Sequence, residues 1–83
     1  MKDTAIIVFN IIKRNFTVDL EVPLDISANE LVVALNTAYE LGIDTADIKN
    51  CYLKAENPIA LLKGNKSLSE FGIRNGSVIN FTE

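Results

Sequence analysis

Leu68-Ser69-Glu70-Phe71-Gly72-Ile73-Arg74-Asn75-Gly76-Ser77-Val78-Ile79-Asn80-Phe81 reads as a fold being closed. Ser67, just before it, is placed to cap a single helical turn through Phe71, which Gly72 ends. Ile73 then drops into a core, and Asn75-Gly76 is a strong tight-turn dipeptide. Ser77 to Thr82 follows as a last strand, with Val78 and Asn80 on one face and Ile79 and Phe81 on the other. Beyond Phe81 stand only Thr82 and Glu83, and Glu83 is expected to be a true end, just past a finished fold.

Working back from that ending, the rest of the chain supplies partners for the strand. Thr4 to Ile12 is rich in β-branched residues and reads as a strand, followed by a turn at Lys13-Arg14-Asn15. Phe16 to Val22 alternates Val18, Leu20 and Val22 against Thr17, Asp19 and Glu21, which is the pattern of a half-buried strand. Pro23 stops it, because proline donates nothing to a ladder.

Ser27-Ala28-Asn29-Glu30 is a capping box, flanked by Ile26 and Leu31 as a hydrophobic staple. It predicts a helix over 28–41 with Leu31, Ala34, Leu35, Ala38 and Leu41 on its apolar face and Val33 on the outer one. Gly42 is its expected left-handed C-cap, with Ile43 folding back on the helix end.

Asp44 to Asn50 reads as loop with a short turn. Cys51 to Ala55 is a third strand, with Cys51, Leu53 and Ala55 inward and Tyr52 and Lys54 outward. Asn57-Pro58 turns the chain into a short strand, Ile59 to Leu62. The order is β-β-α-β-β-β within one domain over residues 1–83. It predicts an α+β fold in which one main helix covers one face of a mixed sheet, with the first and last strands central and parallel.

Composition narrows the chemistry. Of 83 residues, 48% are hydrophobic and 23% charged, which fits one small globular domain rather than a disordered chain. No apolar stretch approaches a membrane span, and Ala5 to Phe9 is too short for a signal-peptide core. The expectation is a reduced, soluble, cytoplasmic protein.

Cys51 is the single cysteine and histidine is absent, so an internal disulfide, a cysteine–histidine nucleophile and an iron–sulfur cluster are all excluded. No catalytic, cofactor-binding or metal-binding residue is expected, and Cys51 reads as a buried structural residue. The net charge of −3 argues against nucleic acid as a partner. The charge is also uneven. Between Arg14 and Lys49 no basic residue occurs, while Asp19, Glu21, Asp25, Glu30, Glu40, Asp44 and Asp47 all fall there. Most of these read as a solvated face.

The element order and the ending Lys66 to Phe81 resemble ubiquitin-like proteins, which share the β-grasp fold, over nearly the whole chain. The Gly72-Ile73-Arg74-Asn75-Gly76 form, and the hairpin strand Val18-Asp19-Leu20-Glu21-Val22-Pro23, resemble the small stand-alone YukD/EsaB family of the Gram-positive type VII secretion apparatus. That resemblance implies a cytoplasmic, non-enzymatic protein that lacks a diglycine tail and binds protein components of the secretion machine. The implied partner is a cytosolic domain of a membrane component. The ubiquitin recognition patch carries over poorly: Tyr52, Lys54, Asn80 and Thr82 would face the same way, and only Tyr52 keeps much apolar character.

The first strand is apolar on both sides, so one row, Ile6/Val8 or Ile7/Phe9/Ile11, faces outward unless the 56–66 segment folds over it. Beside Tyr52 and Lys54 it would form a binding or weak self-association patch. The candidate protein-binding residues are Ile7, Phe9, Tyr52, Lys54 and Lys63. Two other classes stand beside this one. A modifier or sulfur carrier needs a free Gly-Gly ending. A stand-alone β-grasp adaptor or regulatory domain would bind another protein, or RNA through Lys54, Lys63, Lys66 and Arg74.

Overall fold

The capping box forms as the sequence requires, and it anchors the helix to a distant loop. Ser27 Oγ accepts from Glu30 N at 3.1 Å, and Ser27 N donates to Glu30 Oε1 at 3.3 Å. The next two amides find carbonyls in the 64–66 segment: Ala28 N donates to Lys66 O and Asn29 N to Gly64 O, both at 3.0 Å. No orphan donor is left at this helix start. In the computed structural model, which describes residues 3–82, the helix α1 spans Ala28–Tyr39. The expectation about Glu83 lies outside the described residues.

Five strands accompany it: β1 (Thr4–Ile11), β2 (Phe16–Pro23), β3 (Leu53–Glu56), β4 (Ala60–Leu62) and β5 (Val78–Phe81). They form one sheet in the order β2-β1-β5-β3-β4. β1 and β5 are central and parallel, with Val8 opposite Val78 and Ile11 opposite Phe81. The other pairs are antiparallel. Short 3-10 helices at Ile12–Arg14 and Thr45–Asn50 fill the connections after β1 and α1. This is the mixed β-grasp sheet on one helix that the sequence predicts.

The core lies between α1 and one sheet face. Ile7, Phe9 and Ile11 from β1 meet Leu31, Val32 and Leu35 from α1, joined by Leu53, Leu62, Leu68 and Ile79. Each such side chain contributes about 1.5–3 kcal/mol by leaving water. The helix face differs from the predicted one. Ala34 and Ala38 are exposed, and Ala28, Leu31, Val32, Leu35 and Tyr39 make the buried stripe. That stripe keeps i, i+3 and i+4 spacing while burying the larger Val32 in place of two alanines, which lose little by facing water.

The helix also stops earlier than its sequence suggests. Glu40, not Gly42, takes the left-handed cap position at φ 51°. Arg14, from the turn after β1, donates to the carbonyls of Tyr39 and Glu40 at 2.7 Å each. These charge-assisted bonds satisfy carbonyls that another helical turn would have used. The early stop lets Leu41 turn into the core. Asn36 then holds the exit: its Oδ1 accepts from Ile43 N at 2.9 Å and its Nδ2 donates to Ile43 O at 3.2 Å.

The closing segment behaves as read. Ser67 Oγ accepts from Glu70 N, Ile73 is buried, and Gly72 sits at φ +83°. Ser77 leaves the strand to act as a latch, accepting from Arg74 N and donating to Asn57 O at 2.7 Å.

Replacing Ser27 by alanine removes the acceptor for Glu30 N. The expected loss is about 1 kcal/mol of stability, read as a lower urea midpoint with an unchanged denaturant slope.

Candidate functional site

α1 covers one side of the sheet, so the other side is open. The register decides which residues line it. Across the five strands, Thr17, Asn10, Asn80, Lys54 and Leu61 fall in one row. Asp19, Val8, Val78 and Glu56 fall in the next.

The first row is hydrogen-bonded from Thr17 to Asn80, and the chain of bonds then steps to Glu56 in the next row. Thr17 Oγ1 donates to Asn10 Oδ1, Asn10 Nδ2 to Asn80 Oδ1, and Asn80 Nδ2 to Glu56 Oε2, each at 2.8 Å. Asparagine is a poor strand former, and two of them sit opposite each other on the central parallel strands. Their amides are satisfied by this chain, and the Glu56 carboxylate, which can only accept, sets its direction. The centre of the face is therefore polar and fixed in shape.

Its β3–β4 end is apolar and open. Ile59 is 92% exposed at the turn before β4, and Leu61 is 50% exposed on it. With Lys54, Glu56 and Asn80 they line a shallow depression of about 680 Å³. Tyr52 precedes β3 and Lys63 follows β4, so both lie at one end of this strand pair, and both are exposed. Tyr52, Lys54 and Lys63 thus lie on this one strand pair.

Ile7 and Phe9 are not part of it. Both are fully buried under α1, and the outward row of β1 is Ile6, Val8 and Asn10. The reason is the helix stripe: Leu31, Val32 and Leu35 need the larger Ile7/Phe9/Ile11 row opposite them, which leaves Ile6 in water. The 56–66 segment does not fold over the outer face, since Ile59 is exposed. Ile59 and Leu61 escape sequence reading because Ile59-Ala60-Leu61-Leu62 is apolar throughout. Period two, anchored on a buried Leu62, would have turned Leu61 outward.

A second cleft, of about 270 Å³, lies between the 3-10 helix at 45–50 and the end of β5, lined by Ile43, Asp44, Asp47, Cys51, Tyr52 and Phe81 among others. It is unsuited to thiol chemistry. Cys51 is buried, and its Sγ donates to the carbonyls of Asp44 and Asp47 at 3.4 Å. Burial first, then the carboxylates of Asp47 and Asp44, push the thiol up from its ordinary range. Among the described residues no cluster of three or more histidine, cysteine or acidic side chains is arranged to hold a metal. No helix among them is long and apolar enough to cross a membrane.

Alkylation of Cys51 by iodoacetamide at neutral pH is therefore expected to be much slower than that of an exposed cysteine peptide, with the difference vanishing in denaturant. The unfolded thiol ionises first, so the fold loses stability as pH rises through the ordinary thiol value of 9.0. Urea midpoints on either side of that pH, compared with those of Cys51→Ser, measure the loss.

Solved structures like this one are ubiquitin-like domains. The ubiquitin-like domain of tubulin-binding cofactor B matches with a TM-score of 0.75 at 20% identity, over 96% of this chain and 89% of that one. The C-terminal ubiquitin-like domain of mouse tubulin-specific chaperone e gives 0.72 at 10% identity, over 99% and 90%. The ubiquitin-like domain of the Mycobacterium tuberculosis type VII secretion system protein ECCD1 gives 0.57 at 17% identity, over 98% and 99%. At these identities the likeness is one of fold. A search of curated protein sequences returns no match. The profile of the family described as "WXG100 protein secretion system (Wss), protein YukD" matches residues 6–80. The chain belongs to that family, and is a ubiquitin-like, secretion-associated domain.

Proposed function

We propose that this chain is a non-enzymatic component of a type VII secretion machine that acts by binding protein partners in the cytoplasm, without being conjugated to them. The observation that carries the reading is the open apolar depression at Ile59 and Leu61, rimmed by Lys54 and Glu56, on a sheet face whose centre is held rigid by its hydrogen-bonded row. Exposed large apolar side chains grouped beside charges are the ordinary make-up of a protein-binding patch. Family membership supplies the setting. The reading also takes support from the ubiquitin-like domain of similar fold in ECCD1, a protein of a type VII secretion system.

Among these 83 residues no two of the four glycines are adjacent, which supports action without conjugation. The buried, proton-holding Cys51 supports the absence of thiol catalysis. A cytosolic domain of a membrane component is the partner this reading expects, recognised through Tyr52, Lys54, Ile59, Leu61 and Lys63.

Crosslinking in cells that carry the secretion machine tests it. The chain is expected to capture a component of the apparatus. Leu61→Asp combined with Lys54→Glu should weaken that capture by about tenfold or more, since losing one buried apolar anchor costs at least ~1.4 kcal/mol at an interface. Both residues face water here, so the thermal midpoint should move little. Equal capture by the doubly substituted chain contradicts the reading, as does recovery of the chain covalently attached to another protein from cells given no crosslinker.

A further inference from the structure

The sheet has two edges, and they differ. β4 is three residues long, whereas β2 runs for eight and carries no proline until Pro23, its last residue. The direction of the free groups on β2 follows from its neighbour. Ile6 O accepts from Gly76 N and Val8 N donates to Ser77 O, so Ile6, Val8 and Asn10 aim their backbone groups at β5. Ile7, Phe9 and Ile11 therefore aim theirs at β2, where they pair with Leu20, Val18 and Phe16. The N–H and C=O groups of Thr17, Asp19 and Glu21 are left pointing away from the sheet. Among the described residues no other hydrogen bond reaches them. This long edge has no bulge, early proline or lysine, so only the carboxylates of Asp19 and Glu21 oppose further pairing.

We infer that β2 is a docking edge for an extended, basic segment of a partner, which adds to the sheet as a sixth strand. The two faces of the edge state its pattern. On the outer face Thr17, Asp19 and Glu21 are exposed, and an added strand would set alternate side chains beside the two carboxylates. On the helix side Val18 and Leu20 are only half-buried against the core, because they stand at its rim. The intervening side chains of the added strand would cover them. The complement is a segment alternating lysine or arginine with valine, isoleucine or leucine.

Charge supports the same occupant. β2 and α1 lie wholly within the 15–48 stretch that carries seven acidic residues and no basic one. Of the two cations in the turn before β2, Lys13 and Arg14, Arg14 is engaged with the end of α1. A second copy of this chain fits less well. Antiparallel pairing of two β2 edges would set Asp19 across from Thr17, Asp19 or Glu21 of the other copy and double the carboxylates on one face. Like charges across strands destabilise such a pair.

This edge is distinct from the β3–β4 depression, and its test does not depend on the secretion reading. The full chain, labelled with nitrogen-15, is titrated with a short capped peptide alternating valine and lysine. The expected result is slowed amide exchange and shifted resonances at Thr17, Asp19 and Glu21, with weakening as salt rises. A valine–glutamate peptide of equal length should bind at least tenfold more weakly. Asp19→Pro removes an N–H that the fold does not use, and should abolish binding while the circular dichroism spectrum is kept. If that variant does not fold, Asp19→Lys combined with Glu21→Lys carries the test, and should lose at least tenfold in affinity.

The inference is overturned if the valine–lysine peptide does not bind, or if its effects fall on Lys54 to Leu61 or on α1. Equal binding of the valine–glutamate peptide, equal binding by the lysine variant, or self-association of the chain through β2 also overturns it.

Discussion

Everything in this molecule hangs on the parallel pairing of β1 with β5. Parallel neighbours cannot be joined by a tight turn, so the chain must leave β1, cross the sheet and return some sixty residues later. α1 and the closing segment perform that crossing. The junction itself is built from the Asn75-Gly76-Ser77 turn. Asn75 Oδ1 accepts from Ile6 N at 2.8 Å, Gly76 N donates to Ile6 O at 3.0 Å, and Val8 N donates to Ser77 O at 2.9 Å. Once these bonds form, the Ile7/Phe9/Ile11 row must face α1, and Ile6, Val8 and Asn10 must face out.

The outward surfaces follow from that one choice. With Asn10 outward and opposite Asn80, a hydrogen-bonded row crosses the open face and ends on Glu56. With β3 on the far side of β5, the apolar residues Ile59 and Leu61 are carried to the rim of that face. On the other side β2 becomes a long free edge. A ubiquitin-like frame thus presents two surfaces of opposite character. One is a face with an apolar depression beside Lys54 and Glu56, and the other is an acidic backbone edge.

Much of the fold is legible in the sequence because its signals are local. The capping box at Ser27 and Glu30, the alternation of Phe16 to Val22 and the Asn75-Gly76 turn each act within a few residues. What the sequence hides is set by distant partners. The outward row of β1 is decided by Leu31, Val32 and Leu35, which lie about twenty-five residues away. That is why Ile7 and Phe9 look like surface candidates and turn out to be core. The end of α1 is decided by Arg14 from another element, so the local pull of Gly42 loses. Ile59 and Leu61 lie hidden in an apolar run whose alternation cannot be phased until Leu62 is known to be buried. Asn10 and Asn80 carry the one missed clue: two polar residues in strands that must be central need each other.

On the proposed reading, this chain binds its partner through the open face of the sheet rather than acting through any reactive group. Amide hydrogen exchange, measured for the chain alone and then with the cytosolic domain of a membrane component of the secretion machine, tests this most directly. The account predicts slower exchange concentrated in Lys54 to Lys63, with the α1 amides unchanged. Protection confined to α1, or spread over the helix side while the β3–β4 residues exchange as before, would contradict it.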